Sequence, residues 1–100
     1  MSTSPASEEP LVRARALISG RVQGVGFRFS AQKAAHHQRL SGWVRNRADG
    51  SVEAMVEGEE SAVQAFLAWC RRGPIGAAVT DVQVMWEPYV GELQHFRIVG

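Results

Sequence analysis

The sequence has little cysteine: among its 100 residues only Cys70 carries a thiol. A single cysteine cannot form a disulfide within the chain, and this composition suits a reducing compartment. We therefore expect a chain that acts in the cytoplasm and depends on an apolar core for its stability. Cys70 falls on an apolar helical stripe, which predicts a buried thiol that packs as a small hydrophobic group.

An excess of charge of one sign is also missing, since the formal net charge is +1. The composition gives no reason to expect nucleic acid or an acidic membrane surface as a partner. Residues 1–10 lack an apolar run and contain two glutamates, so they form neither a signal peptide nor a membrane span. Serine and proline predict a disordered N-terminal tail over residues 1–10, with one domain over residues 11–100.

Metal-ligand patterns are absent as well. His36 and His37 are neighbours on a predicted helix, where adjacent side chains point roughly 100° apart and cannot clamp one metal. His95 stands alone in the sequence. We expect surface or structural roles for all three, and neither a metal nor a cofactor.

The hydrophobic pattern predicts an α+β fold with the element order β-α-β-β-α-β and a short extra strand at the C-terminus. This order is that of the ferredoxin-like, split βαβ fold, an antiparallel sheet with two helices on one face. Glycine and proline separate the elements. The predicted strands are 11–19, 42–48, 51–57, 79–87 and a short one around 96–98, and the predicted helices are 29–39 and 59–72.

The hydrophobic pattern also predicts which side chains share one face of a helix or strand. The second helix carries Val63, Phe66, Leu67 and Cys70 on one apolar stripe. In the strands, Val52, Ala54 and Val56 alternate with Glu53, Met55 and Glu57, and Val82, Val84 and Trp86 share a face. Asp49 and Gly50 predict a hairpin turn between the second and third strands.

The segment GRVQGVGFR, residues 20–28, joins the first strand to the first helix. A glycine-bearing turn before a helix directs unpaired backbone N–H groups at one point and can bind an anion. Arg28 opposes the helix dipole at this position, which is unfavourable unless an anion lies between them. The alternative is an ordinary tight turn with a surface arginine.

The segment lacks the parts of better-known phosphate sites. It has no Gly-Lys-Ser/Thr, no third glycine of a dinucleotide fingerprint, and Val22 instead of a thiol six residues before Arg28. Asn46 is the nearby polar candidate, because the strand that carries it returns towards the turn. An asparagine can orient a water without titrating, although it can also simply cap a strand end.

At these residues the sequence resembles the acylphosphatase family. Residues 20–28 match the signature Gly-x-Val-Gln-Gly-Val-x-Phe-Arg, and GWVRN at 42–46, followed by Gly50, Val52 and Gly58, matches the second signature. The resemblance covers residues 11–100. It implies an enzyme that hydrolyses acyl phosphates to carboxylate and phosphate without a metal or cofactor, with Arg28 binding phosphate and Asn46 positioning the water. The phosphate-binding backbone amides are then those of Gln23, Gly24, Val25, Gly26, Phe27 and Arg28.

One departure from the family lies at Gln38 and Arg39, where the family often has Leu-Gly. Glycine takes the left-handed conformation at a helix end easily, whereas Arg39 does so less easily. The end of the first helix is therefore the part of the domain that the resemblance describes least well.

The resemblance implies a small acyl phosphate as substrate, and we expect a monomer. Inorganic phosphate, the product, should inhibit competitively, because the turn recognises the phosphoryl end of the substrate. Other functions are a module that binds phosphate ligands without turnover, or a carbamoyl-phosphate-processing domain of a hydrogenase-maturation protein. The presence of Arg28 and Asn46 disfavours the first, and the chain's end at Gly100 disfavours the second. An RNA-binding sheet needs stacked aromatic residues beside basic ones, and Trp43 and Trp86 are too isolated for that.

Overall fold

The computed structural model describes residues 9–100, in which the predicted order of elements is confirmed. Two helices and five strands follow one another with short connections. The elements are β1 (Leu11–Arg21), α1 (Phe27–His37), β2 (Ser41–Asn46), β3 (Val52–Glu59), α2 (Glu60–Arg72), β4 (Ala78–Glu87) and β5 (Arg97–Ile98).

The sheet has the strand order β4-β1-β3-β2-β5. All neighbours are antiparallel except β2 and β5, which pair in parallel through Trp43 with Arg97 and Val44 with Ile98. The sheet is therefore mixed rather than wholly antiparallel. The reason is the connection over residues 88–96, which leads the chain from β4 at one edge to β5 beside β2 at the opposite edge.

The core lies between the sheet and the two helices. Ala14, Ala16 and Ile18 of β1 are fully buried, as their alternation with Arg13 and Arg15 predicts. The predicted stripe of α2 is confirmed, since Val63, Phe66, Leu67 and Cys70 are all buried. Burial raises the pKa of the Cys70 thiol to about 12, so this thiol stays protonated and packs as a core side chain.

The other face of the sheet is covered at Glu57, which is only 3% exposed. Its carboxylate accepts hydrogen bonds from Arg13 Nη1 at 3.3 Å, from the Val90 N–H at 2.8 Å and from the Gly91 N–H at 3.1 Å. Charge-assisted bonds of this kind offset the cost of burying a carboxylate. Glu57 thus fastens the connection between β4 and β5 to the middle of the sheet.

Two local details differ from the sequence prediction. The β2–β3 hairpin exists, but β2 ends at Asn46 because the Arg47 N–H donates to the Ser51 carbonyl at 2.8 Å and closes the loop. Only Gly50 of the pair Asp49 and Gly50 has a positive φ, 95°. Trp86 does not share the burial of Val82 and Val84, since it is 50% exposed near the end of the edge strand β4.

The histidines have structural contacts. His95 stands alone in the sequence, but in the structure its ring stacks on that of His36 with 4.2 Å between the centroids. His36 Nε2 also lies 2.8 Å from the Phe96 carbonyl oxygen. These contacts link α1 to the segment before β5, a pairing between distant parts of the sequence.

Residues 1–8 of the predicted tail lie outside the described residues. Of the remaining two, Glu9 accepts hydrogen bonds from the Ser61 N–H and hydroxyl, both at 3.0 Å, and the Pro10 carbonyl accepts from the Glu60 N–H at 3.1 Å. Both contacts satisfy donors at the N-terminal end of α2. Neither helix of the described chain has the length and apolar character to span a membrane.

The end of α1, which the sequence left open, has a residue in the left-handed conformation. Arg39 has φ 59°, and it is the one residue other than glycine with a positive φ within residues 9–100. The Leu40 N–H donates to the Ala35 carbonyl at 3.0 Å, which closes the helix in the manner of a Schellman motif. The conformation that glycine adopts easily is therefore imposed here on an arginine.

Arg39→Gly should stabilise the fold. Left-handed backbone costs a residue with a Cβ atom about 1–2 kcal/mol, and the greater freedom of glycine in the unfolded chain offsets part of this. We expect a net gain of about 0.5–1 kcal/mol in the free energy of unfolding, measured by urea denaturation. Arg39→Ala is the matched control, since it removes the side chain but keeps the strain, and an equal gain in that variant would contradict the explanation.

Candidate functional site

The turn between β1 and α1 has the backbone of an anion site. Gly24 and Gly26 both have φ 77°, a left-handed conformation that favours glycine, and an added Cβ at either position would meet no atom within 4 Å. The glycines are therefore required by backbone conformation and not by close packing. Successive N–H groups in such turns form a concave cluster that suits negatively charged oxygens.

The N–H groups of this turn are available. The first helical hydrogen bond of α1 runs from the Ser30 N–H to the Gly26 carbonyl at 3.0 Å, and within the described chain no backbone carbonyl accepts from the N–H groups of residues 23–28. The first turn of α1 contains no acidic side chain, and Gly26 supplies no side-chain cap. The positive end of the helix dipole therefore faces the turn without a protein counter-charge on the same helix.

Arg28 and Asn46 line one cavity beside this turn, with a volume of about 210 Å³. Arg28 is half-buried, and within residues 9–100 no carboxylate lies at salt-bridge distance from its guanidinium. The sequence prediction placed these two residues near each other, and they do share a cavity. The complete lining is Val22, Gly24, Gly26, Phe27, Arg28, Phe29, Asn46 and Ile98.

Asn46 is the last residue of β2, paired with Val52 of β3. Its Oδ1 atom is buried, yet it has no hydrogen-bond partner within the part of the chain that the structure describes. A buried acceptor without a partner costs free energy and is uncommon in folded proteins. The described chain therefore leaves the hydrogen-bonding capacity of this oxygen unused, and the residue that carries it lines the cavity.

The Gln23 side chain connects the turn to the strand that carries Asn46. Its Nε2 donates to the Arg47 carbonyl at 2.8 Å and to the Ser51 carbonyl at 2.9 Å. Sequence reasoning considered only the backbone amide of Gln23 and missed this role. The signal was present in part, because a glutamine offers two donors on one nitrogen, but its acceptors lie 24 and 28 residues further along the chain.

Two arginines beside Asn46 are held by Glu53, which is 2% exposed. Arg45 Nη2 lies 2.7 Å and Arg47 Nη1 3.7 Å from Glu53 Oε1, and Arg15 binds the second carboxylate oxygen. Burial opposes ionisation of Glu53, but the hydrogen bonds from Arg45 and Arg15 outweigh it and hold its pKa below the ordinary value. Arg45 and Arg47 therefore each have a carboxylate partner on the sheet, whereas Arg28 has none within residues 9–100.

A larger cavity, of about 450 Å³, lies between the two helices and is lined in part by Lys33, Phe66 and Trp69. It contains neither the glycine turn nor Asn46. The candidate site is therefore the smaller cavity. Metal ligation is not indicated elsewhere either, since residues 9–100 contain no group of three or more His, Cys, Asp or Glu side chains arranged to hold an ion.

The fold and the cavity define a class: a ferredoxin-like α+β domain with a glycine turn between its first strand and first helix, whose N–H groups at residues 23–28 have no backbone partner in the described chain. Comparison with known proteins gives the family. The Acylphosphatase family model matches residues 14–98, and the acylphosphatase of Roseiflexus sp. (strain RS-1) is 53% identical over 89 residues, which are 89% of this chain and 96% of that protein. The chain belongs to the acylphosphatase family, whose members hydrolyse acyl phosphates.

Solved structures agree with this assignment. The crystal structure of acylphosphatase from Bacillus subtilis superposes with a TM-score of 0.86 at 40% identity, covering 89% of this chain and 99% of that one. Full-length HypF, in its phosphate- and nucleotide-bound form, matches with a TM-score of 0.80 at 30% identity, but the match covers 12% of that chain. The domain therefore also resembles one part of a much longer protein.

Gln23→Met should weaken the connection between the turn and the β2–β3 hairpin. Methionine is similar in size but donates no hydrogen bond, so the Arg47 and Ser51 carbonyls lose a partner. We expect the free energy of unfolding to fall by about 1–3 kcal/mol, measured by urea denaturation. Gln64→Met, at an exposed position on α2, is the control, and an equal loss there would show that the two hydrogen bonds contribute little.

Glu53→Gln should destabilise the fold in a pH-dependent way. Because the folded-state pKa of Glu53 is lowered, its stabilising contribution is fully present above the ordinary glutamate value of about 4.3 and is lost as the pH falls below it. We expect a loss of about 2 kcal/mol at pH 7 that shrinks at pH 3, measured by denaturation at both pH values. The exposed Glu92 provides the control Glu92→Gln, and a loss from Glu53→Gln that is constant with pH would contradict this linkage.

Proposed function

We propose that this acylphosphatase cleaves its substrate by in-line attack of a water that Asn46 orients, on a phosphoryl group held by Arg28 and the N–H groups of residues 23–28. The observation that carries the proposal is that Asn46 lines the same cavity as Arg28 and that its buried Oδ1 lacks a partner within residues 9–100. A water bound there would donate a hydrogen bond to Oδ1. An amide orients such a water without taking its proton, because it does not titrate.

The phosphoryl group suits the other wall of the cavity. Its oxygens carry negative charge, and the wall offers unpaired N–H groups, the positive end of a helix dipole and a guanidinium. Arg28 can contact two oxygens at once through its planar fork. Held in this way, the phosphorus atom faces the water in the same small cavity, which is the positioning that phosphoryl transfer requires.

The chemistry of the leaving group explains why this cavity needs no acid. In the proposed step the water oxygen forms a bond to phosphorus, and the bond from phosphorus to the acyl oxygen breaks. The acyl group leaves as a carboxylate, whose conjugate acid has a pKa of about 4, so it needs no proton to depart. The proton of the water passes to a phosphoryl oxygen, and the products are a carboxylate and inorganic phosphate.

We further propose that the protein acts as a cytoplasmic monomer that inorganic phosphate inhibits competitively. The groups assigned to the reaction, which are Arg28, Asn46 and the N–H groups of residues 23–28, lie within one domain, so the proposed step needs no residue from a second copy. The one thiol, Cys70, is buried, which fits a reducing compartment. Phosphate carries the oxygens that the N–H groups and Arg28 would recognise, so product and substrate would compete for one site.

Substitutions of Asn46 and of Arg28 should affect different kinetic constants. Asn46→Ala should lower kcat roughly 100-fold, because a preorganised polar group that acts on the attacking water is lost, while the inhibition constant of phosphate changes little. Arg28→Lys should lower kcat and weaken phosphate inhibition together, because an ammonium keeps the charge but loses the fork. Steady-state kinetics on benzoyl phosphate, with and without phosphate, measure both quantities.

Arg97→Lys is the matched control for Arg28→Lys, because Arg97 is exposed and does not line the cavity. We expect it to leave kcat and phosphate inhibition unchanged. Normal turnover by a folded Asn46→Ala variant would disprove the proposed role of Asn46. Circular dichroism of each variant shows whether it is folded.

The substrate range should follow the leaving group. With no acid in the cavity, hydrolysis of benzoyl phosphate should exceed that of a simple alkyl phosphate by several orders of magnitude, since an alkoxide needs a proton to leave. The activity should also persist after exhaustive chelation of metals. Comparable rates on both substrates would reveal an acid, activity restored only by added metal would contradict the mechanism, and binding without turnover would identify a phosphate-binding module.

A further inference from the structure

The mouth of the candidate cavity is apolar. Phe29 and Ile98 line the cavity together with Arg28 and Asn46, yet Phe29 is 61% and Ile98 38% exposed. Phe29 follows Arg28 in the first turn of α1, and Ile98 belongs to the edge strand β5. Two large apolar side chains are therefore presented to solvent from two different elements at one opening.

We propose that Phe29 and Ile98 form a subsite for the acyl end of the substrate and make the enzyme select aromatic over small acyl groups. The proposal rests on the function proposed above, because the polar part of the cavity is assigned there to the phosphoryl group. Neither residue takes part in that assignment. Their side chains offer dispersion contacts and an apolar surface, but no hydrogen bond.

The polarity of the cavity determines which end of the ligand meets these residues. An acyl phosphate has one strongly anionic end, which the N–H groups, the helix dipole and Arg28 would hold. The acyl group then extends from the phosphoryl group towards the opening, where Phe29 and Ile98 lie. An acyl phosphate with an aromatic ring fits this division of a polar interior and an apolar mouth, as small-ligand sites commonly show.

The Phe29 ring has a partner that helps to fix it. Lys33 follows one helical turn later, and its Nζ lies 5.5 Å from the ring centroid, within the range of a cation–π contact. The contact restrains the ring although most of it is exposed. An aromatic acyl group can pack on the remaining surface of the ring or along its edge, in the offset or tilted arrangements that aromatic pairs prefer. An acetyl group has too little surface to gain from this contact.

The first experiment measures kcat/KM for benzoyl phosphate and acetyl phosphate with the wild-type protein and with Phe29→Ala and Ile98→Ala. Each variant is compared with the wild type on the same substrate, so the different reactivity of the two substrates cancels. We expect Phe29→Ala to lower kcat/KM for benzoyl phosphate roughly fivefold, the effect of losing one aromatic contact, and for acetyl phosphate less than about twofold. Phe29→Tyr should retain the wild-type preference.

Ile75→Ala is the matched control, because Ile75 is fully exposed and lies outside the cavity lining. It should change neither value. Equal losses on both substrates in Phe29→Ala, or no loss on benzoyl phosphate, would overturn the subsite. An equal loss of kcat/KM on benzoyl phosphate alone in Ile75→Ala would also overturn the subsite. It would show that removing any exposed apolar side chain has this effect.

A second measurement separates this proposal from the proposed function. Phenacylphosphonate and acetonylphosphonate replace the bridging oxygen of benzoyl and acetyl phosphate with a methylene group and cannot be hydrolysed in the same way. Calorimetry should show that the phenacyl compound binds more tightly and loses roughly fivefold in affinity in Phe29→Ala. If the phenacyl compound binds in this way but neither acyl phosphate is turned over, the proposed function is refuted and the subsite is kept. If the two compounds bind equally and turnover is normal, the subsite alone is refuted.

Discussion

The two hydrogen bonds donated by the Gln23 amide are the contacts on which the arrangement of the site depends. They run from the turn after β1 to the Arg47 and Ser51 carbonyls, which lie on either side of the β2–β3 loop. The turn and Asn46 belong to separate elements, which the sheet already spaces, because Ile18 of β1 and Asn46 of β2 both pair with Val52 of β3. The Gln23 side chain adds a direct link from the turn itself to the β2–β3 loop, while Gly24 and Gly26 set the backbone direction of the turn.

Ion pairs on the sheet bind the other arginines near the cavity and leave Arg28 as the arginine that lines it. Arg45 and Arg47 flank Asn46 in the sequence, but both bind Glu53, together with Arg15. Because Glu53 is ionised and buried, the arginines that satisfy its charge within residues 9–100 are held beside it, and removing them would leave a buried charge without a partner. Arg28 is therefore the guanidinium that lines the described cavity, and it lies on the helix whose dipole faces the same space.

The sequence predicted the features of the fold and site that follow from local residue patterns. Alternation gave the strands, helical spacing gave the stripe from Val63 to Cys70, and the glycine turn beside Arg28 indicated an anion site. It did not predict the stacking of His36 on His95 or the acceptors of Gln23, because these contacts join residues far apart in the chain. Alternation likewise placed Glu53 and Glu57 on one face, but their burial depends on the register that brings the arginines beside them.

The composition of the cavity lining also bears on how the proposed reaction depends on pH. Apart from Arg28, no lining residue in the described chain carries a titratable side chain. Asn46 keeps its hydrogen-bonding capacity at any pH at which the fold persists. A protein that uses these groups alone has no acid or base of its own to titrate, so the pH dependence of its turnover follows the ionisation of the phosphoryl group. Because the leaving group is a carboxylate, a site without an acid or base is sufficient for the proposed hydrolysis. The apolar mouth made by Phe29 and Ile98 lets the site discriminate between acyl groups without adding a charged group.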